Sequence, residues 1–428
     1  MKARVIYFNL IFIILFIPFL QSVLHFSDVK PLQGAVVLSE DTVFSFKDWF
    51  SGHFQEKKEK YINDNFGYRN IFVRLNNQLA FWMFNKAKAK NVRVGKDNYL
   101  FEKPYIDSYF GVNLMTEEVW KTKLSKFKYI QDSLAKTNKT LILVIAPSKA
   151  YFYPEYIPDS LKLEKKVTNY ELSVKLMNDL KIKYIDFNKY FKENKNKSKY
   201  SLYPKLGVHW SHYSALLAAD SIIKYIENDR SIIMPHLFWD KIEISEKPKY
   251  TDADLADGMN LLFDIKSNKL AYPNISIKKS EACQTPKLLV IGDSFYWGIC
   301  NFRFTECFSE NKFWYYNETV YPESFENVLS VKDLRLKDEI KKYDVIIIIC
   351  SAFHIEGMGW GFIENTYNVL AKGIVQNSIE YWNEVKKIKK KMTENNEWLN
   401  QIKQKALDNK ISLDSMMTLD AIWMIQNQ

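Results

Sequence analysis

Several patterns that would assign a function directly are missing from this sequence of 428 residues. After residue 24, no segment is long and apolar enough to cross a membrane. No helix-turn-helix, RNP or zinc-finger pattern is present, so nothing supports nucleic acid as a partner. The few cysteines show no CxxC or Cys/His spacing typical of zinc sites. We therefore expect neither a metal nor a cofactor.

The long apolar run that does occur lies at the N-terminus, over Val5–Leu24. As a helix, about 20 residues at ~1.5 Å each span ~30 Å, the thickness of the hydrocarbon layer. Lys2 and Arg4 precede the run, so the positive-inside rule places the N-terminus in the cytoplasm. A cleaved signal peptide is the alternative, but QSVLHFSDV offers no small-x-small cleavage site. We expect a periplasmic protein held in the inner membrane by one signal anchor.

Cysteine is scarce, and all four residues would lie on the exported side, where disulfides are permitted. Four cysteines allow three complete pairings, and the sequence does not choose among them. Cys300 and Cys307 are close in sequence and would form a plausible loop staple, whereas Cys283 and Cys350 have no such neighbour.

Basic residues exceed acidic residues by ten, since Lys plus Arg is 60 and Asp plus Glu is 50. Such a balance favours an anionic partner, such as an acidic polymer, nucleic acid or a membrane surface. A proteome that is generally rich in Lys and Asn would give the same balance.

Strand and helix patterns alternate along most of the chain, which predicts an α/β fold with a mostly parallel sheet flanked by helices. VRVGKDNYLF reads as a hairpin, and TLILVIAP, KLLVIGDSF and DVIIIIC read as buried strands. Residues 46–84 read as two helices with Gly67 as the break. We divide the chain into an anchor (1–24), a tether and helical connector (25–85), an α/β domain (86–370) and a helical tail (371–428).

Two polar residues at element boundaries could act together. Ser294 follows the strand of KLLVIGDSF, at the edge where reactive groups of α/β sheets gather. His209 lies in the loop of GVHWSHYS, just before a predicted helix. Histidine is the usual base for a serine nucleophile, because its pKa lies near neutral pH. Each residue alone also fits a structural role, as a cap or as a packed, hydrogen-bonded side chain.

Four blocks, in order along the chain, resemble the alginate O-acetyltransferase family of SGNH-hydrolase-like proteins, the AlgX/AlgJ type. They are GKDNYLFEKPYI, VIAPSKAYFYPEYIP, GVHW and VIGDSF. Ordinary SGNH esterases carry Gly-Asp-Ser first and the Asp/His block last. This chain has the histidine first and the serine last, similar to the circularly permuted arrangement of that branch.

The resemblance implies an acetyltransferase that acts on an exported polysaccharide. Ser294 would be the nucleophile that carries the acetyl group, and His209 would be general base and then general acid. Backbone N–H groups near Ser294 would bind the oxyanion. The expected partner is a multi-pass, membrane-bound O-acyltransferase that supplies the acetyl group. Lys149 and Tyr153, in the second block, either face the cleft or lie on the surface.

One element of the family pattern is absent. The family has Asp two residues before the histidine, in Asp-x-His-Trp, whereas this chain has Gly207 there. An acid from TDADLADGMN, which contains Asp252, Asp254 and Asp257, could reach His209 instead. Alternatively, a backbone carbonyl fixes the imidazole tautomer, or the protein is an inactive scaffold or carbohydrate-binding subunit. A carbohydrate esterase that uses the same acyl-enzyme is a further alternative.

Overall fold

The computed structural model describes residues 2–34, 37–371, 379–409 and 411–427. It begins with one helix that is long and apolar enough to cross a membrane, and the apolar stretch of this helix is not buried by the rest of the protein. Three helices precede the α/β domain, where two were predicted. The additional break is at Gly52, whose φ of 83° is left-handed and ends one helix before the next begins. The N-terminal helix is α1 (Lys2–Leu24), and the three helices between it and the α/β domain are α2 (Phe46–Ser51), α3 (His53–Asn65) and α4 (Arg69–Phe84).

The α/β domain begins with the predicted hairpin and then alternates helices with strands. Its first half contains β1 (Val92–Val94), β2 (Leu100–Glu102), α5 (Lys103–Phe110), α6 (Glu117–Ala135), β3 (Thr140–Ala146), α7 (Lys149–Phe152), α8 (Asn169–Asp179), β4 (Tyr184–Asp186), α9 (Phe187–Asn194) and α10 (His212–Arg230). Its second half contains β5 (His236–Ser245), α11 (Asp254–Met259), β6 (Leu270–Lys278), β7 (Lys287–Gly292), α12 (Phe295–Cys300), β8 (Glu310–Tyr315), β9 (Thr319–Tyr321), α13 (Leu336–Lys342), β10 (Val345–Ser351) and α14 (Phe362–Ala371).

Six strands form the central sheet, in the order β4-β3-β10-β7-β8-β9. All neighbouring pairs are parallel except β8–β9 at one edge, which confirms the predicted mostly parallel sheet. The central strands are continuous apolar runs because both of their faces are buried. Alternate residues of β3 face two different cores: Ile142 packs with α10 and α12, and Leu143 packs with α6 and α14.

The parallel arrangement brings the carboxyl ends of three strands to one edge of the sheet. β3 ends at Ala146, β7 at Gly292 and β10 at Ser351, and the register pairs these ends across β10. At this edge Gly292 cannot carry a side chain, because a Cβ would lie 2.4 Å from Cγ2 of Ile349. The chain that leaves β7 is therefore held close to β10.

An antiparallel pair, β5 and β6, lies outside the central sheet and was not predicted from the sequence. The connection between these two strands contains α11, which carries Asp254. Beyond α14, residues 372–378 at the start of the predicted tail lie outside the described residues. Three further helices follow, with an apolar core of their own: α15 (Ile379–Glu394), α16 (Asn396–Asp408) and α17 (Leu413–Asn427).

The loop staple considered for Cys300 and Cys307 is not formed in this structure, because all four cysteines are free thiols. Cys300 ends α12 and Cys307 ends a separate 3-10 turn, and both pack against the same apolar core. Burial raises the pKa of Cys300 to about 11 and that of Cys307 to about 12, so both stay protonated at neutral pH.

Candidate active site

Ser294 lies at the turn between β7 and α12 and is the residue that precedes the helix. Its neighbour Asp293 is buried and accepts two backbone hydrogen bonds, from Phe295 N–H at 3.0 Å and from Ser351 N–H at 2.8 Å. These bonds tie the turn to the end of β10. Asp293 therefore shapes the turn, while the residue Ser294 is partly exposed.

His209 lies against this serine. Its Nε2 atom is 2.8 Å from Ser294 Oγ, although the two residues are separated by 85 positions in the chain. The imidazole also packs edge-on against Phe295, with 4.8 Å between ring centroids. The adjacent Trp210 is buried among Phe187 and Phe295, so its role here is packing.

Asp254 contacts the other side of the imidazole. Its Oδ2 atom is 2.5 Å from His209 Nδ1, and its Oδ1 atom accepts the Val208 N–H at 2.8 Å. Because a carboxylate only accepts, this pair assigns the proton of neutral His209 to Nδ1. The Nε2 lone pair then faces the Ser294 hydroxyl, in the tautomer that a general base requires.

The other two acids of TDADLADGMN lie elsewhere. Asp252 is buried and accepts the His212 N–H at the start of α10, at 3.3 Å. Burial raises its pKa to about 7. Asp257 is exposed and lines a cavity beside α11, together with Lys30 and Arg74. Of the three candidates, only Asp254 hydrogen-bonds His209.

Gly207 is the residue that lets the segment TDADLADGMN approach the loop that carries His209. A Cβ at this position would lie 2.8 Å from the carbonyl oxygen of Thr251 and 2.9 Å from that of Asp252. Real Cβ atoms do not come so close to backbone oxygens. The backbone of residues 251–252 thus fills the space that an aspartate side chain at position 207 would need, and it brings Asp254 to His209 instead.

Electrostatics at the site favour the protonated form of His209. Burial alone would lower the pKa of the imidazole, but the charge and hydrogen bond of Asp254 outweigh it, with smaller effects from Asp293 and Glu102. The result is a pKa above the ordinary 6.5. Glu102, at the end of β2, was not singled out from the sequence. Its own pKa is raised, first by burial and then by the charge of Asp254.

Tyr316 is a second residue that the sequence did not indicate. It follows β8 directly, and its backbone N–H donates to the Gly292 carbonyl at 2.9 Å. The Ser294 side chain is a minor cause of the shift in the pKa of this phenol, so the two side chains lie near each other. Burial raises the pKa of this phenol, so it is a hydrogen-bond donor at neutral pH. Tyr316 could be located only through the pairing of β8 with β7.

Lys149 and Tyr153 are both buried and line neither the cleft nor the surface. The ammonium of Lys149 donates to the carbonyls of Lys205 and Gly207, at 2.8 and 2.6 Å. Burial lowers the pKa of Lys149 to about 7. The phenol of Tyr153 donates to the Tyr203 carbonyl at 3.3 Å. Both side chains therefore support the segment that leads to His209.

Comparison with known proteins finds a family model that matches part of the chain. Residues 92–236 match the family described as "SGNH hydrolase-like domain, acetyltransferase AlgX". The chain is 29% identical over 110 residues to "Probable alginate O-acetylase AlgJ" of Pseudomonas syringae pv. tomato, which covers 26% of this chain and 27% of that protein. The chain thus spans about a quarter of the length of this curated relative.

Two solved structures are also similar. The O-acetyltransferase domain of Pseudomonas putida AlgJ has a TM-score of 0.42 at 15% identity, covering 65% of this chain and 99% of that chain. Pseudomonas aeruginosa AlgX has a TM-score of 0.42 at 15% identity, covering 65% of this chain and 67% of that chain. The segment matched by the family contains His209 and Lys149 and ends before Asp254 and Ser294. Residues 92–236 thus resemble an SGNH hydrolase-like domain of the AlgX type, and the rest of the chain lies outside this match.

Proposed function

We propose that this protein is an O-acetyltransferase that modifies an exported polysaccharide through an acetyl-serine intermediate. The observation that carries the proposal is the continuous hydrogen-bonded line from Ser294 through His209 to Asp254, with distances of 2.8 and 2.5 Å. A nucleophile, a base and a group that orients the base are the components that acyl transfer requires. The three come from three separate segments at one edge of the sheet.

In the first half-reaction, Ser294 Oγ attacks the carbonyl carbon of an acetyl donor while His209 Nε2 takes the hydroxyl proton. The tetrahedral intermediate collapses, the bond to the donor oxygen breaks, and His209 returns the proton to that leaving oxygen. The acetyl group remains as an ester on Ser294. Asp254 stays ionised and stabilises the imidazolium that forms in between.

In the second half-reaction, a sugar hydroxyl attacks the acetyl-serine ester. His209 takes the proton of that hydroxyl, the new ester bond forms, and the bond to Ser294 Oγ breaks. His209 then returns the proton to the serine. The enzyme is regenerated without a net proton change, and no co-reactant is needed apart from donor and acceptor.

The oxyanion of the two tetrahedral intermediates needs hydrogen-bond donors near Ser294. The N–H groups of Phe295, Tyr296 and Trp297 already donate within the turn, to Asp293 and Ser294. Among the described residues, no acceptor takes the N–H of Ser294 itself, which makes it the first candidate donor. The phenol of Tyr316, beside the Ser294 side chain, is the second.

A row of aromatic side chains supports a carbohydrate acceptor. Tyr316 contacts Tyr315, with 4.4 Å between ring centroids, and Tyr315 contacts Trp297 at 5.8 Å. The row continues through Tyr321 to Phe325, which is 70% exposed. Flat apolar faces beside a few polar groups are typical of ligand sites, and they suit the C–H faces of sugar rings. The net charge of +10 suits an acidic polymer.

The remaining parts of the proposal concern the location of the protein, the source of its acetyl group and the polysaccharide that accepts it. The helix α1 would hold the protein at the inner membrane, with the α/β domain in the periplasm. There the acetyl group would be delivered by a membrane-bound O-acyltransferase. The relative named as an alginate O-acetylase makes alginate the first acceptor to test.

The test is to follow where the acetyl group goes. Full-length protein in detergent is incubated with an isotope-labelled, activated acetyl ester, with and without de-acetylated alginate. Acetyl esters on the polymer that are absent with Ser294→Ala support the transferase. Labelled acetate alone, at a rate unaffected by the polymer, would show an esterase. Neither product from a folded protein would show an inactive scaffold and end the proposal.

A further inference from the structure

Lys149 is a charged side chain with no exposed surface, and the proposed reaction does not use it. It lies in α7, directly after β3 and below the loop that carries His209. Burying an ammonium group without a hydrogen-bonded carboxylate costs free energy. Such lysines are therefore rare unless other hydrogen bonds compensate for the lost hydration. No carboxylate hydrogen-bonds Lys149 among the described residues, which raises the question of what this cation holds.

The hydrogen-bond donors of Lys149 are directed at one short segment. Nζ is 2.8 Å from the Lys205 carbonyl oxygen and 2.6 Å from that of Gly207. The ammonium also lies over the ring of Phe101, at 5.6 Å from its centroid. The cation therefore binds two carbonyls that are two residues apart, the second of them two residues before His209.

Neighbouring contacts show that this segment is the support of His209. The Leu206 carbonyl accepts the Ala256 N–H of α11 at 3.2 Å, and the Val208 N–H donates to Asp254 at 2.8 Å. Lys149 binds the same segment by donating hydrogen bonds to the carbonyls of residues 205 and 207. Those two sets of bonds fix the segment against α11, which is the helix that carries Asp254.

We propose that Lys149 is a positioning residue that clamps the 205–207 backbone and so keeps His209 aligned between Asp254 and Ser294. Its importance follows from Gly207, whose lack of a side chain permits the close approach of residues 251–252 but leaves the backbone less restricted. A neutral side chain of similar length cannot hold both carbonyls. A displacement of about 1 Å at His209 would then cost roughly 100-fold in the rate of acyl transfer.

The test measures the titration of His209 by NMR on full-length protein labelled in histidine. His209→Gln identifies the signal of this residue among the six histidines. Although the inference rests on the proposed role of His209, this measurement needs no reaction, so it is informative even if acetyl transfer fails. The variants are Lys149→Met, which removes every donor, and Lys149→Gln, which keeps an amide donor if the first variant does not fold.

The direction in which the pKa of His209 shifts distinguishes the possible roles of Lys149. If Lys149 positions the segment, Lys149→Met weakens the Asp254 contact, and the pKa of His209 falls toward its ordinary value. If Lys149 acts only through its charge, removing the cation raises the pKa of His209. Either a rise or an unchanged pKa in a folded variant would overturn the proposal. Lys149→Gln is expected to give a smaller fall than Lys149→Met.

Lys123→Met is the matched control. Lys123 is a partly buried lysine that also donates to a backbone carbonyl, that of Glu356, at 2.7 Å, and burial lowers its pKa. Its contact does not involve the segment before His209, so the pKa of His209 should stay unchanged. In acylation by a small acetyl ester, Lys149→Met should lower kcat by about 100-fold with little change in KM, and Lys123→Met should not.

Discussion

Replacing Asp254 by asparagine tests the arrangement that the sequence left open. The carboxylate accepts two hydrogen bonds, from the His209 ring at 2.5 Å and from the Val208 N–H at 2.8 Å. Asparagine has only one acceptor oxygen, and the Val208 N–H would donate its hydrogen bond to that oxygen. The amide NH₂ would then face His209 Nδ1, which must become an acceptor. The proton moves to Nε2, and the imidazole can no longer take the proton of Ser294.

The size of the effect follows from this change of tautomer. Loss of the orienting acid in a serine–histidine–aspartate site typically lowers kcat by about 10⁴, and we expect a loss of about 10³ to 10⁴ in acylation. At ~1.36 kcal/mol for each factor of ten, that is about 4 to 5.5 kcal/mol of transition-state stabilisation.

The pH dependence should change as well. In the native protein, Asp254 is a main cause of the raised pKa of His209. Only the neutral imidazole is a base, so acylation should fall as the pH drops through a midpoint above 6.5. In Asp254→Asn, the residual activity should have its midpoint at lower pH, because the stabilising charge is gone.

The assay is the rate of acylation by an activated acetyl ester between pH 5 and 9, read as release of the leaving group. Asp257→Asn is the control, since this exposed acid of the same helix lies away from His209. It should retain full activity. An Asp254→Asn variant that keeps activity within about tenfold of the native protein would refute the assignment of Asp254 as the orienting acid.

Three further predictions concern residues around the site. Gly207→Asp, which recreates the motif of the family, should destabilise the protein by about 1–3 kcal/mol and abolish acylation, because its Cβ meets backbone oxygens. Gly258→Ala, where a Cβ meets nothing within 4 Å, should cost no stability in the same thermal unfolding experiment. Phe325→Ala should reduce acetyl transfer to polymer several-fold but leave acylation by a small ester intact, whereas Val328→Ala, 90% exposed in the same loop, should change neither. Alkylation of unfolded, unreduced protein should label all four cysteines, and labelling of only two would show a disulfide.

The sheet and the position of the nucleophile could be predicted because both depend on local patterns. The apolar runs of β3, β7 and β10 are continuous because these strands are buried on both faces. A serine that directly follows such a strand lies at the carboxyl edge of the sheet, where reactive groups gather, and this position does not depend on long-range contacts. His209 could be identified for a similar reason, since it precedes a strongly apolar helix.

The acid partner could not be predicted because its position depends on a long-range contact. Asp254 lies 45 residues after His209, on a short helix between β5 and β6. β5 has one buried residue and three charged ones, so it shows no clear apolar alternation. The sequence contained one indirect signal: a glycine in place of the family's aspartate indicates that another part of the chain needs that space.

Residues whose role depends on strand register were also missed. Tyr316 lies near Ser294 because β8 pairs in parallel with β7, which places Tyr315 beside Gly292. Lys149 is buried because residues 205–207 cross above it, and its spacing from β3 alone suits an exposed lysine equally well. Cys300 and Cys307 are close in sequence but form no disulfide, because closeness in sequence does not bring two thiols into bonding geometry.

The central claim is that Ser294 becomes acetylated with the help of His209. The most direct measurement is the intact mass of the full-length protein after brief exposure to an activated acetyl ester, for the native protein, Ser294→Ala and His209→Ala. We predict the mass of one added acetyl group on the native protein, located on Ser294 by peptide mapping, and no adduct on either variant. A folded native protein without an adduct, or an adduct that persists in Ser294→Ala, would contradict the account.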